Sequence, residues 1–259
     1  MEIEIVTLTR PGGRDYNEDV YGHWYDDRHV LCLVADGAGG HGGGDVASAT
    51  ARASLLAGFA TQPGLDAGVL RQLVAHANEA IVERQAEGGK LAAMRTTLVM
   101  AAIDLEEQAM VWAHSGDSRA YLFRGGAVVA RTTDHSLVQQ MVAGGMLDDE
   151  GARLHPQRNV LLSALGSLTE PPQVDVSQRM RLEPGDALLL CSDGVWEVLG
   201  DEGLMAGLQA SRTPRQWADQ IDAQIIARGK PGQDNYTAIA LWVMPDGHDD
   251  ATRLMPAPD

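Results

Sequence analysis

The chain has 259 residues, a 44% hydrophobic share and a formal net charge of −16, which allows one large domain or two small ones with an ample core. That acidity argues against nucleic acid or an anionic membrane surface as a main partner. No apolar stretch is long enough to span a bilayer, and Met1-Glu2-Ile3-Glu4 opens without the basic flank or apolar core of a signal peptide, so a cytoplasmic protein is expected.

In chain order, residues 2–8 and 20–35 read as strands. An alanine-rich helix is predicted from Asp45 to about Ala60, directly after a glycine cluster. Leu70, Leu73, Val74, Ala77 and Ile81 keep helical spacing and predict a second helix over 65–86. Short strands follow at 96–104, 108–115, 118–123 and 127–132. The segment 134–166 breaks the pattern and reads as an irregular excursion. Strands return near 173–181 and 186–192. Thr213-Pro214-Arg215-Gln216 is a helix start with proline at the first helical position, and Gly229 can end that helix. The last strand is 236–243, and the polar, proline-bearing residues 245–259 read as a loose tail. Cys32 and Cys191 lie inside apolar runs and read as small core residues, not a disulfide or a zinc cluster. Strands grouped with strands and helices in pairs suggest antiparallel sheets covered by helices, in one domain over 1–244.

Asp36 and Asp193 end two of the apolar runs, and Asp234 opens a third. Were these runs antiparallel neighbours, the three carboxylates would meet at one edge of a sheet, with no basic residue adjacent in sequence. Like charges so close repel, and a hard divalent cation is the economical partner; oxygen-only ligands suit magnesium or manganese better than zinc. Taken singly, each Asp-Gly pair reads more simply as a turn whose residues tolerate positive φ. Their company shifts the balance. Arg14-Asp15-Tyr16-Asn17-Glu18-Asp19 offers a guanidinium suited to phosphate and further acids. Asp36 to Gly44 is a glycine-rich loop entering a helix, through which backbone carbonyls can approach an ion. Ser115-Gly116-Asp117-Ser118-Arg119 sits between two strands.

Taken together and in this order, RDYNED at 14–19, ADGAGGHGGGDVAS at 35–48, RTT at 95–97, SGDSRAY at 115–121, TTDHS at 132–136, CSDGVWE at 191–197 and DNYTAIAL at 234–241 resemble the bacterial type of the metal-dependent protein serine/threonine phosphatases of type 2C. The resemblance implies an α+β fold, a four-layer α/β/β/α sandwich with a dinuclear Mn2+ or Mg2+ centre between the sheets. On matching positions, Asp36 would bridge both metals and Gly37 would add its carbonyl. Asp193 and Asp234 would bind the first metal, and Glu18 and Asp19 would support bound waters. Arg14 would hold the phosphoryl group, and Asp117 with Asp193 would take a third metal. Residues 134–166 would be the flap beside the site. Metal-activated water would attack phosphorus without a phosphoenzyme. The chain has Ala38 where eukaryotic members often carry histidine, which leaves metal-bound water or His41 as the leaving group's proton source. The implied partners are phosphorylated proteins and an opposing eukaryotic-like serine/threonine kinase, for a monomer, with type VI secretion as one setting known among relatives.

Three other readings compete. Gly37-Ala-Gly39-Gly-His-Gly42 also fits a dinucleotide-binding loop after a strand and before a helix. That reading requires a parallel strand after the first helix, where another helix is predicted. A pseudophosphatase that binds phosphorylated partners without turnover would be expected to lose metal ligands, and all three aspartates remain. A phosphatase for a non-protein phosphate ester is the third.

Overall fold

The computed structural model describes residues 1–39, 42–168, 170–229 and 231–244. His41 and the tail at 245–259 lie outside the described residues. In chain order the elements are β1 (Ile3–Arg10), β2 (Asp19–Tyr25), β3 (His29–Ala38), α1 (Gly44–Thr61), α2 (Ala67–Gln85), β4 (Arg95–Thr96), β5 (Leu98–Asp104), β6 (Ala109–Ser115), β7 (Arg119–Arg124) and β8 (Ala127–Arg131). There follow α3 (Leu137–Ala143), α4 (Asp149–Leu154), β9 (Asp175–Val176), β10 (Met180–Arg181), β11 (Ala187–Cys191), α5 (Asp193–Gln209), α6 (Pro214–Arg228) and β12 (Tyr236–Val243).

Two sheets result. One runs β1-β12-β11-β7-β8; the other runs β10-β6-β5-β3-β2, with β4 on β3 and β9 on β6. Neighbouring strands pair antiparallel throughout. Alternation of side chains along each strand then sorts the apolar residues into three layers of core. Leu31 and Leu33 of β3, with Met100 and Ala102 of β5, pack under α1 and α2. Val30, Cys32 and Val34 turn the other way and meet Leu188, Leu190, Ile239 and Leu241 between the sheets. Leu189 and Cys191, with Ala238 and Ala240, pack under α5 and α6 against Trp217, Ile221 and Ile225. The order is therefore helix pair, sheet, sheet, helix pair, the four-layer α/β/β/α sandwich. Being buried on both faces is why these strands read as continuous apolar runs. Both cysteines are fully buried and unpaired, and burial pushes the Cys32 thiol up to about 12. Among the described residues, the antiparallel pairing and the α1–α2 succession leave no βαβ unit for a dinucleotide.

Three details differ from the sequence reading. The run at 20–35 is a hairpin, not one strand: Asp26 Oδ1 accepts from the N–H of Arg28 at 2.8 Å and of His29 at 2.5 Å, which turns the chain between β2 and β3. The strand expected at 173–181 is reduced to two short pairings on β6. Helix α5 was not predicted at all; its seventeen residues begin at Asp193 and kink at Gly200, where φ is 62°. No described helix is long and apolar enough to cross a membrane.

Candidate metal centre

The three aspartates meet, but not along one sheet. Asp36 comes from the end of β3, whereas Asp193 and Asp234 follow β11 and precede β12 in the facing sheet. The β11–β12 ladder ends at Cys191 opposite Ala238, and Ser192 N–H donates to Thr237 O at 3.0 Å. Chain direction thus sets Asp193 and Asp234 side by side. Asp36 is fixed through its backbone: its N–H donates to Thr97 Oγ1 at 3.1 Å, and its carbonyl accepts from Thr97 N–H at 2.8 Å and Thr96 Oγ1 at 2.9 Å. The RTT motif is the support of that corner.

Both Asp-Gly pairs owe their glycine to close approach, not to a turn. Neither Gly37 nor Gly194 has positive φ. A Cβ on Gly37 would lie 2.1 Å from Gly44 O, and one on Gly194 would lie 2.0 Å from Asn235 O. Another stretch of backbone passes where any side chain would stand.

Around the three stand the remaining acids. Asp19 lies opposite Asp36 in the β2–β3 ladder, and its Oδ2 accepts from Ser192 Oγ at 2.7 Å. Glu18 accepts from Gly44 N–H at 3.1 Å, while its own N–H donates to Asn235 Oδ1 at 2.8 Å. Asp117 is buried in the β6–β7 turn. Burial, and then Asp19, Asp193, Asp117 and Asp234, push the Asp36 carboxyl well above the usual range. Asp193 is raised likewise, by burial and then by Asp117, Glu197, Asp234 and Asp19. Burial and Asp134 carry Asp117 up to about 7 against the pull of Arg119. Burial lifts Asp19 to about 6, although Ser192 opposes it.

The strongest charges acting on Asp36 and Asp193 are thus all carboxylates. Asp193 Oδ1 and Asp19 Oδ1 are buried and have no hydrogen-bond partner. An all-oxygen set of carboxyls raised by burial and by one another, with unpartnered lone pairs, fits a hard divalent ion.

Arg14 lies at the mouth, with Nη2 2.8 Å from Asp234 Oδ2. It shares a cleft of about 630 Å³ with Arg153, Arg158, Arg228, Glu197 and Asp234. Arg158, from the segment 134–166, reaches Glu197 at 3.2 Å.

The sequence model of protein phosphatase 2C matches residues 14–226. The chain belongs to this family. By type it is a metal-dependent protein serine/threonine phosphatase of the 2C kind. The serine/threonine phosphatase stp of Listeria monocytogenes is 34% identical over 234 residues, covering 88% of this chain and 90% of that protein. Among solved structures, the catalytic domain of the serine/threonine protein phosphatase PstP with two manganese ions aligns at a TM-score of 0.78, with 30% identity over 94% of this chain and 99% of that one. PppA, a regulatory component of T6SS in Pseudomonas aeruginosa, aligns at 0.75, with 28% identity over 94% and 99%.

Asn235, Arg119 and Trp196 lie inside the quoted motifs, but nothing in the sequence marks what they touch. Asn235 clamps the RDYNED loop, donating to Pro11 O at 2.9 Å and Tyr16 O at 3.0 Å while accepting from Glu18. Its place next to Asp234 was the available hint. Arg119 stacks over Trp196 at 3.5 Å and pairs with Asp134 at 2.7 Å, and Trp196 Nε1 donates to Asp117 O at 2.9 Å. Those bonds join the β6–β7 turn, α5 and the start of the segment 134–166, whose proximity no local pattern announces.

Proposed function

We propose that this chain hydrolyses phosphoserine and phosphothreonine in proteins at a two-ion manganese or magnesium centre. The observation that carries the reading is the convergence of Asp36, Asp193 and Asp234 from two sheets, with unpartnered carboxylate oxygens inside. Asp36, the Gly37 carbonyl, Asp193 and Asp234 would hold the two ions, and Asp117 with Asp193 a third. Two manganese ions in the PstP catalytic domain support that number. When bound, such ions supply Lewis acidity, lowering the pKa of a coordinated water and offsetting charge on phosphoryl oxygens.

The protein's own groups do the rest. Asp19 and Glu18 flank the carboxylates and offer acceptors that orient water. Asp19 is itself fixed by Ser192, and Glu18 by Gly44. Arg14 uses Nη2 on Asp234, and its other nitrogens are available to grip a phosphoryl group in the cleft. With Arg153, Arg158 and Arg228 beside it, an acidic phosphopeptide meets positive charge on an otherwise acidic protein. His41 stays a candidate acid for the leaving alkoxide. We place the enzyme in the cytoplasm as a monomer of one domain over 1–244, opposing a eukaryotic-like serine/threonine kinase. The likeness to PppA supports a type VI secretion setting.

The test is hydrolysis of a phosphothreonine peptide with and without manganese, beside Asp193→Asn. Turnover that needs manganese and collapses in a folded variant supports the reading. Phosphopeptide binding without turnover by the manganese-loaded wild type would make the protein a binding module instead.

A further inference from the structure

Beside the β6–β7 turn, His114 of β6, His135 from the segment after β8 and Asp175 of β9 bring their ligand atoms within 4.8 Å of one another. Both histidines are buried. The spacing alone would suit a transition metal, but the hydrogen bonds assign the ring protons otherwise. His135 Nδ1 accepts from Gly116 N–H at 3.3 Å, so its proton is on Nε2, which donates to Asp175 Oδ2 at 3.1 Å. His114 Nε2 donates to Thr133 O at 2.8 Å. Of the four ring nitrogens, His114 Nδ1 alone is an acceptor without a hydrogen-bond partner, and the His135 ring stacks on that imidazole with centroids 4.6 Å apart.

The same bonds tie distant segments together. His135 N–H donates to Gly116 O at 2.9 Å, so Gly116 is held at both its N–H and its carbonyl by one residue. His135 O accepts from Leu162 N–H at 2.8 Å, where the flap returns to the sheets. Asp175, the far anchor, lies opposite His114 in the β6–β9 ladder. The clamped glycine immediately precedes Asp117. Gly116 has φ +100° and no room for a Cβ against Thr97, so the turn adopts a conformation that needs outside support.

We infer that His135 is a positioning residue: braced by Asp175, it clamps Gly116 and thereby holds the Asp117 carboxylate in place for a metal ion while locking the flap's exit to the same turn. The inference rests on the reading of Asp117 as a metal ligand, and it works through that residue, not through contact with substrate. Residues that orient a ligand in this way typically change metal affinity by about 10–100-fold when removed.

The experiment measures Mn2+ binding by electron paramagnetic resonance, together with hydrogen exchange of the 115–118 amides in metal-free protein. It compares wild type, Asp117→Asn, His135→Ala, His135→Asn and Asp175→Ala. His135→Ala and Asp175→Ala should weaken the weakest Mn2+ site at least about tenfold and speed exchange at Gly116. His135→Asn, whose amide oxygen can take the Gly116 N–H, should restore much of both. Adding His135→Ala to Asp117→Asn should cost no further Mn2+ affinity, because both changes act on one ligand. Where His135→Ala fails to fold, Asp175→Ala and His135→Asn carry the comparison.

Wild-type Mn2+ affinity in the folded His135 and Asp175 variants would overturn the inference. So would wild-type binding by Asp117→Asn, since there would then be no ligand to position. Zn2+ binding in the presence of saturating Mn2+, lost in His114→Ala, would replace the clamp with a second metal site. Wild type that binds Mn2+ but turns over no phosphopeptide would end the phosphatase reading and leave this test intact.

Discussion

Ser192 Oγ donates to Asp19 Oδ2 at 2.7 Å, linking residues 173 positions apart across the gap between the two sheets. Ser192 also accepts from Thr237 N–H at 3.0 Å, so one hydroxyl joins β11, β12 and β2 beside the carboxylates. Asp19 Oδ1 is already without a partner. Ser192→Ala should therefore cost about 1–3 kcal/mol, the range for stranding a buried polar partner. Urea unfolding with an unchanged m-value would show it.

Burial and like-charge repulsion predict opposite effects of Asp193→Asn with and without metal. In metal-free protein the substitution removes a carboxyl raised first by burial and then by its acidic neighbours, and melting should rise by a few degrees, about 1 kcal/mol at this chain size. With Mn2+ added, wild type should gain more than the variant and overtake it. Thermal scans in chelator and in Mn2+ give the comparison.

The same carboxyls set a pH dependence. Asp117 is pushed up to about 7 and Asp19 to about 6, above an unfolded value of about 3.9. The folded metal-free state thus binds more protons than the unfolded chain between about pH 4 and 7, so stability is greatest at the acid end and falls as pH rises through the folded values. Melting temperature in chelator should be higher at pH 5.5 than at pH 7.5. Saturating Mn2+, which displaces those protons, should reverse the order.

Arg14 is half exposed and bonded to Asp234 across the mouth. Arg14→Ala should lower kcat/KM on a phosphothreonine peptide by about 10²-fold, the scale of losing one charge-stabilising donor. Its melting temperature should barely move, since exposed ion pairs contribute little. Arg14→Lys should recover only part of the loss, lacking the bidentate fork.

Gly194→Ala tests the close approach of backbones beneath the site. Its Cβ would meet Asn235 O at 2.0 Å, and relieving that contact must move either α5 or the Asp234-Asn235 corner. Destabilisation of about 1–3 kcal/mol or more is expected, with weaker Mn2+ binding than at sites of equal thermal cost elsewhere. A calorimetric titration would separate the two effects.

Local periodicity determined a great deal here. The apolar runs of β3, β5, β11 and β12 are legible because each strand is buried on both faces, and α2 because Leu70, Leu73, Val74, Ala77 and Ile81 share one buried stripe. The ordered motifs marked Arg14, Glu18, Asp19, Asp36, Asp117, Asp193 and Asp234 as company for one another, and the fold gathers these acids at one end of the sheets. The Asp26 turn that splits β2 from β3 was missed inside a run of mixed character. Helix α5 was missed because Asp193-Gly194 carries a turn's composition, whereas the glycine serves to let Asn235 pass.

Only the tertiary structure decided that the carboxylates come from two facing sheets, with Ser192 and Asn235 fastening the join and His135 clamping the Asp117 turn. The physical reason is that a side-chain period records which face of a segment is buried, but not which distant segment covers it. That is set by strand order and by the packing of one sheet on the other, and it is there that Asp19, Asp36, Asp117, Asp193 and Asp234 come close enough to act on one another.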